Sequence, residues 1–345
     1  MQNKITVGFD ISQLAHNGGV STYTKNLAQE LSKSSDLEMS YFYSSLRRPY
    51  KGKLKGVKKF KLPPTFFEVL FNKMRNVKIE RFIGDVDIFH SSDWVQPPSK
   101  ALKVTTYHDV IPLMYPKWSH PKIVAVHKRR LEIVEKEIDM VIAVSEQTKN
   151  DLLKVSKIPA DKITVVYEGV GKEFKQLPKE EVAAFRKKNN LPDTFVLALG
   201  GVGDRKNLLR IKEACKDFPL VISGETIPYV SDADLPFLYN AAAALVYTTL
   251  YEGFGLPIIE AMACGTPVVT SNSGAHIEVS GEAALHADAA NSEEIRKGIK
   301  NVLENEDLRK KIIAQGLKHA EKFSWEKAAK ETEAVYKKLL INSLK

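Results

Sequence analysis

Along most of the chain, short runs of apolar, β-favouring residues alternate with stretches whose apolar positions recur every three or four residues. Residues 5–9, 87–90, 104–107, 140–144 and 163–167 carry the first pattern and are predicted strands. Residues 21–31 and 122–136 carry the second and are predicted helices. The series restarts at residues 195–199, continues at 220–223, 245–249 and 268–271, and gives way to long helical stretches. Strands alternating with helices predict parallel sheets covered on both faces. Because the series runs twice, the fold class is α/β with two doubly wound domains. Two glycines in "YEGVGKEF" interrupt the pattern and mark the join. The expected domains are residues 1–168 and 169–323, with residues 324–345 as a C-terminal helix packing back towards the first. In that helix, "SWEKAAKETEAVYKKLL", Ser324 suits the N-cap and Trp325, Ala328, Ala329, Val335 and Leu339 form one packing face.

Three glycine-rich turns carry the candidate chemistry. In "YEGFGLPIIEAMACGTPVV" a strand ends in a turn, Pro257 suits a helix start and Gly265 its end, and another strand follows. Open α/β sheets bind ligands at such carboxyl ends of strands. Gly253 and Gly255 allow a close backbone approach, and a helix start favours an anion. Glu252 and Glu260 are themselves acidic, so they fit hydroxyls of the ligand rather than its phosphates, as acids do for ribose in dinucleotide sites. A ligand with a diphosphate and sugars, a nucleotide sugar, satisfies both. The alternative is Glu260 in a helix first turn, favoured by the helix dipole, with Glu252 exposed. A second turn places Gly18 and Gly19 before a helix starting near Ser21, either as a phosphate site or as a plain N-terminal turn. The third, "LALGGVGDRKNLLRI", sets Arg205 and Lys206 at a helix start, where a basic pair balances a diphosphate or is simply solvated.

With these turns in place, the chain resembles a retaining glycosyltransferase of family 4, of the mannose-transferring kind. The matching pieces include "GGVSTYTKNL", "TTYHDVIPLMYP", "AVSEQTKNDLL", "ITVVYEGV", "RKNL", "YVSDADL", "EGFGLPIIEAMACGTPVV" and "FSWEKAA", almost end to end. The Glu-x7-Glu spacing of Glu252 and Glu260 around Gly-Phe-Gly-Leu-Pro is the specific signal. The resemblance implies the GT-B architecture, two facing Rossmann-like domains with a donor cleft between them. It implies that Glu252 contacts donor sugar hydroxyls and Glu260 the ribose. Backbone at Gly253, Phe254, Gly255 and Leu256 would line the sugar and phosphates, with Gly18 and Gly19 facing the diphosphate. Arg205 and Lys206 would support the departing diphosphate, and His108 would contact the donor sugar. Val230, Asp232 and Leu235 would edge the base site. The implied reaction moves a hexose to a glycan or lipid-linked acceptor, with mannose from GDP-mannose the first expectation and a UDP-sugar the second. A non-catalytic scaffold of the same fold is the rival reading. Two departures feed it: Gly201 stands where the family usually carries arginine, and only residues 225–228 remain where a helix and strand are usual.

Composition narrows the rest. Hydrophobic residues make up 43% and charged residues 27%, as in ordinary globular proteins, and no apolar run approaches the ~18 residues of a membrane span. The strand-like start predicts no signal peptide, and Cys215 and Cys264, without metal spacing, fit a reduced cytoplasm. No resident cofactor is expected beyond the sugar nucleotide as co-substrate. "DAD" at Asp232 to Asp234 reads as helix capping, with Ser231 and Asp232 as caps, so no metal is expected. Residues 1–170 hold 27 Lys and Arg against 18 Asp and Glu, whereas residues 171–345 hold 24 of each. Much of that surplus lies in residues 47–61, where Arg47, Arg48, Lys51, Lys53, Lys55, Lys58, Lys59 and Lys61 stand without an acid. An apolar helix face follows, with Phe66, Phe67, Leu70, Phe71 and Met74. Together they predict peripheral contact with an anionic surface on the inner face of the cytoplasmic membrane, against a solvated loop and a core-facing helix. Nucleic acid is not expected, since no groove-reading motif accompanies the charge.

Overall fold

The computed structural model describes residues 4–91, 93–201 and 203–343. The chain divides into two compact units, one of residues 1–169 and 325–345 and the other of residues 170–324.

The first unit holds a parallel seven-stranded sheet. Its strands are β1 (Ile5–Asp10), β2 (Leu37–Ser44), β3 (Val57–Phe60), β4 (Ile88–Ser91), β5 (Leu102–Tyr107), β6 (Met140–Ala143) and β7 (Ile163–Val165). They lie in the order β3-β2-β1-β4-β5-β6-β7, a doubly wound arrangement whose order reverses between β1 and β4. β1, β4 and β6 are buried along most of their length, as strands covered on both faces must be. The helix Gly19–Leu31 begins two residues before the expected start, so Gly19 lies in its first turn behind Gly18 at φ +110°. The helix Trp325–Ser343 belongs to this unit, and Trp325, Ala328, Ala329, Val335 and Leu339 are all buried. Tyr336 from the same face bonds His90 of β4, OH to Nδ1, at 2.6 Å.

Three features of this unit correct the sequence reading. β2 lies in a segment with no predicted strand. β3 falls inside the basic stretch, pairing with β2 from Tyr41↔Val57 to Ser44↔Phe60. Its two lysines, Lys58 and Lys59, are exposed on an edge strand, where such charges discourage strand-to-strand aggregation. The apolar helix face divides: Phe67 and Phe71 enter a core with Phe42, Ile79, Ile83 and Phe89, while Phe66 and Met74 stay exposed. The helical turn Pro64–Phe67 runs into a π-helical turn Glu68–Met74, which rotates the face.

The second unit holds a parallel five-stranded sheet of β8 (Val196–Leu199), β9 (Leu220–Ser223), β10 (Ala244–Tyr247), β11 (Val268–Ser271) and β12 (Leu285–Ala287). The order β12-β11-β10-β8-β9 reverses between β8 and β10. Its core gathers Val196, Ala198, Ile222, Val246 and Val269 from the sheet with Ile295, Ile299 and Val302 from the helix Ser292–Glu304. β12, only three residues long, was not predicted. The helix after the shortened loop also starts later than expected, at Leu235, with Asp234 rather than Asp232 at its N-cap. Pro236 belongs in a first turn, where its missing N–H costs nothing, and Ser231 instead closes the preceding turn by accepting from the Asp234 N–H at 3.3 Å.

Candidate functional site

In the second unit the loops after β8 and β10 leave the sheet on either side of its reversal point, the position where open α/β sheets bind ligands. The β8 loop carries Gly200, Gly201, Arg205 and Lys206, and the β10 loop carries Glu252. Asn207, at φ +58°, turns the chain into the helix Leu208–Ala214. Its Nδ2 donates to the carbonyls of Thr248 at 2.9 Å and Ala289 at 2.7 Å, fastening the β8 loop to the strand-end loops beside it.

Three groups converge on Glu252 Oε1. Arg205 Nη1 lies at 2.6 Å, Lys206 Nζ at 3.1 Å, and the Tyr247 hydroxyl donates at 2.8 Å. The Glu252 side chain is 14% exposed, so the alternative of an exposed acid does not hold. Burial alone would raise its pKa, but Lys206, Arg205 and the Tyr247 hydroxyl overcome it and hold the carboxyl at about 2. Two cations against one carboxylate leave net positive charge at the strand ends. Arg205 Nη1 also donates to the Tyr251 carbonyl at 2.9 Å, and Lys206 Nζ to the Tyr247 hydroxyl at 3.3 Å, which fixes both cations in place. Behind Tyr247, His276 is buried, bonding Thr249 Oγ1 through Nε2 at 2.7 Å and the Ser273 carbonyl through Nδ1 at 3.2 Å. Burial pushes its pKa down to about 4.

Glu260 lies in the middle of the helix Leu256–Ala263, not in its first turn, which removes the dipole alternative. It is buried, and Oε2 accepts from the Tyr239 hydroxyl at 2.9 Å. Gly255, at φ +107°, is the N-cap of that helix, a conformation that favours glycine. Phe254 and Leu256 are buried, and the Phe254 ring packs 5.8 Å from Phe323. Their side chains therefore serve the core, leaving backbone as what they offer a ligand. Val230 and Leu235 are half-buried and Asp232 is exposed, beside edge strand β9. The Val230 N–H bonds Ser223 Oγ at 3.2 Å, tying the shortened loop to β9. Among the described residues no group of three or more His, Cys, Asp and Glu is arranged to hold a metal.

In the first unit, Gly18 and Gly19 are exposed after β1, and a Cβ at Gly18 would meet nothing within 4 Å. His108 follows β5. Its Nδ1 is 3.1 Å from Glu168 Oε1, and its ring stands edge-on to Tyr23 at 4.6 Å. Tyr23 OH bonds Thr106 Oγ1 at 3.0 Å, Thr106 bonds His90 Nε2 at 2.8 Å, and His90 bonds Tyr336. His108 thus rests against a buried polar chain anchored in the C-terminal helix.

Sequence reasoning named Glu252, Arg205 and Lys206, which meet, but gave Asn207 no role and missed Tyr247, His276 and Glu168. Tyr247 and Glu168 carried a faint signal, a polar tip or an acid at the carboxyl end of a buried strand.

The description "Glycosyl transferases group 1" matches residues 131–319, and "Glycosyltransferase Family 4" matches residues 17–174. The O-antigen chain mannosyltransferase B of Escherichia coli is 30% identical over 290 residues, covering 73% of this chain and 74% of that protein. The serotype-specific mannosyltransferase WbdA of Escherichia coli is 26% identical over 262 residues, 66% of this chain and only 32% of its own length. Among solved structures, sucrose-phosphate synthase from Thermosynechococcus elongatus has a TM-score of 0.78 at 19% identity, covering 98% of this chain and 100% of that one. HepE of Anabaena, solved with UDP and glucose, has a TM-score of 0.72 at 15% identity over 97% of this chain and 100% of its own. At such identities the likeness speaks for the fold, the GT-B architecture of two parallel-sheet, Rossmann-like halves.

Proposed function

The chain belongs to the group 1, family 4 glycosyltransferases, and from this we propose that it moves a mannosyl residue from GDP-mannose to a hydroxyl of a glycan or lipid-linked acceptor, with retention. The observation that carries the reading is the cluster of Arg205 and Lys206 on Glu252 at the reversal point of the second sheet. Charge on a leaving diphosphate grows in the transition state, so cations already fixed there stabilise it without reorganising. Glu252, kept ionised, accepts from donor sugar hydroxyls, while Glu260 takes the ribose. His108, oriented by Glu168, contacts the donor sugar, and Gly18 and Gly19 face the diphosphate. The base lies along Val230, Asp232 and Leu235, and backbone from Gly253 through Phe254 and Gly255 to Leu256 lines the sugar. The reaction then depends on positioning and electrostatics and needs no metal. Mannose as the sugar is supported by the names of the relatives, and a nucleotide-linked donor by HepE, solved with UDP-glucose.

A panel of nucleotide sugars in EDTA, scored by thermal shift, tests this. GDP-mannose at about a hundred times its Kd should stabilise the fold by ~2.7 kcal/mol, a rise of several degrees. No shift with any nucleotide sugar, or a strict need for manganese, would contradict it.

No helix among the described residues is long and apolar enough to cross a membrane. We propose that the exposed basic residues between Arg47 and Lys61 hold the protein on the anionic inner surface of the cytoplasmic membrane. Each such charge contributes ~1 kcal/mol at low salt. Pelleting with phosphatidylglycerol vesicles at low salt and release near ~0.5 M salt are expected from screening. Equal recovery on phosphatidylcholine vesicles would refute the contact.

A further inference from the structure

A cavity of about 470 Å³ opens in the first unit between residues 64–74 and the helix Pro121–Glu137. That is within the usual range for small-molecule pockets, which are apolar with a few placed polar groups. Its wall is apolar, with Trp94, Val95, Ile123 and Val126 among the lining residues. Lys73, Lys122 and Arg129 line it too, against a single carboxylate, Glu68. Glu68 is engaged by Arg129 and, at 3.8 Å, by Lys73, while Lys122 forms no ion pair among the described residues. Two positive charges at the cavity are therefore uncompensated.

Two further observations mark this as a built site. His127 lines the cavity and is only 6% exposed, yet its Nδ1 has no hydrogen-bond partner among the described residues. Leaving an enclosed ring nitrogen unpaired is costly, which sets His127 apart from an ordinary core residue. Trp94 is held at φ +82°, an outlier for a bulky residue, and backbone strain of this kind gathers at ligand clamps. Four of the ten exposed large hydrophobic side chains among the described residues, Phe66, Val69, Met74 and Ile123, lie on the two segments that wall the cavity. An apolar occupant with an anionic end satisfies walls and cations at once.

We propose that this cavity seats the apolar chain of a single-chain phosphate amphiphile, its phosphate lying against Lys73, Lys122 and Arg129. As the hydrophobic end of a lipid-linked acceptor, this occupant rests on the transferase reading; as a binding site, it does not.

Calorimetry with the full chain tests it, using octyl and decyl phosphate below their micelle concentrations, with inorganic phosphate and octyl glucoside as partial ligands. Each buried methylene strengthens binding about fourfold, so decyl phosphate, longer by two, should bind roughly fifteenfold tighter than octyl phosphate. Inorganic phosphate should not bind measurably, and octyl glucoside should bind more weakly than octyl phosphate. Ala125→Trp places bulk at an exposed position of the cavity wall, sparing the fold, and should weaken decyl phosphate at least tenfold. Lys122→Glu should weaken the alkyl phosphates and leave octyl glucoside unchanged. Affinity independent of chain length, or undiminished in Ala125→Trp, would overturn the proposal. So would anionic-vesicle binding without decyl phosphate binding, which assigns the patch to a membrane surface. Chain-length-dependent binding in a protein that hydrolyses no nucleotide sugar would uphold the cavity and sink the transferase reading alone.

Discussion

A Cβ at Gly201 would stand 3.1 Å from Cγ and 3.2 Å from Cε of Lys206. The lysine stem thus lies across the place where the family usually carries arginine, on its way to Glu252. One glycine earlier the constraint is different in kind. A Cβ at Gly200 would meet the Ser223 carbonyl oxygen at 2.3 Å, and backbone cannot swing aside as a lysine stem can. Gly200→Ala should therefore cost ~2–3 kcal/mol, and Gly201→Ala under ~1 kcal/mol. Urea midpoints of the two variants check this, and equal losses would contradict it. Glu252 shows how far single residues were legible. Its spacing to Glu260 marked it in the sequence, but its two cations come from a loop more than forty residues away, and no local pattern announces the nearby Tyr247, or His276, beside it.

Among the elements, buried parallel strands were the easiest to read, because both-face burial writes an uninterrupted apolar run. β8, β10 and β11 appear so in the sequence, and their ends shift by a residue or two at most. β12 is too short to carry a period. β3, "VKKF", is an edge strand whose exposed lysines made it look like part of a charged loop. The apolar stretch after it looked like one amphipathic face because a regular 3.6-residue period was assumed, whereas the π turn at Glu68–Met74 breaks that period. The C-terminal helix was legible because Trp325, Ala328, Ala329, Val335 and Leu339 keep the regular period and all find cover. The cavity wall was not legible, since its segments meet only in the folded unit.

For the whole molecule, buried histidines set the response to acid. Burial lowers the pKa of His90 to about 3 and of His276 to about 4, and it also lowers that of His127. Unfolded, each would protonate near ~6.5, so below that pH the unfolded chain binds more protons than the folded one. Stability contributed by these residues is whole above pH ~6.5 and falls as acid is added, for His276 down to about 4 and for His90 down to about 3. Glu252 adds a later loss: its contribution is whole above its unfolded pKa of ~4.5 and disappears as pH falls through about 2. Urea midpoints should hold level from pH 8 to 7 and drop steadily from 6.5 to 4; a level or rising midpoint in that lower window would contradict this.

The proposed mannosyl transfer centres on Glu252 and the two cations it holds. Release of GDP from GDP-mannose, with EDTA present, in the parent chain and in Glu252→Gln tests it most directly. Glutamine keeps the shape but gives up the charge, and a lost charge-assisted hydrogen bond costs ~1.5–3 kcal/mol, or roughly one to two decades. The parent chain should release GDP and Glu252→Gln should do so at least about tenfold more slowly, with an unchanged circular dichroism spectrum. Equal rates in the two proteins, or no GDP released by the parent chain, would contradict the account.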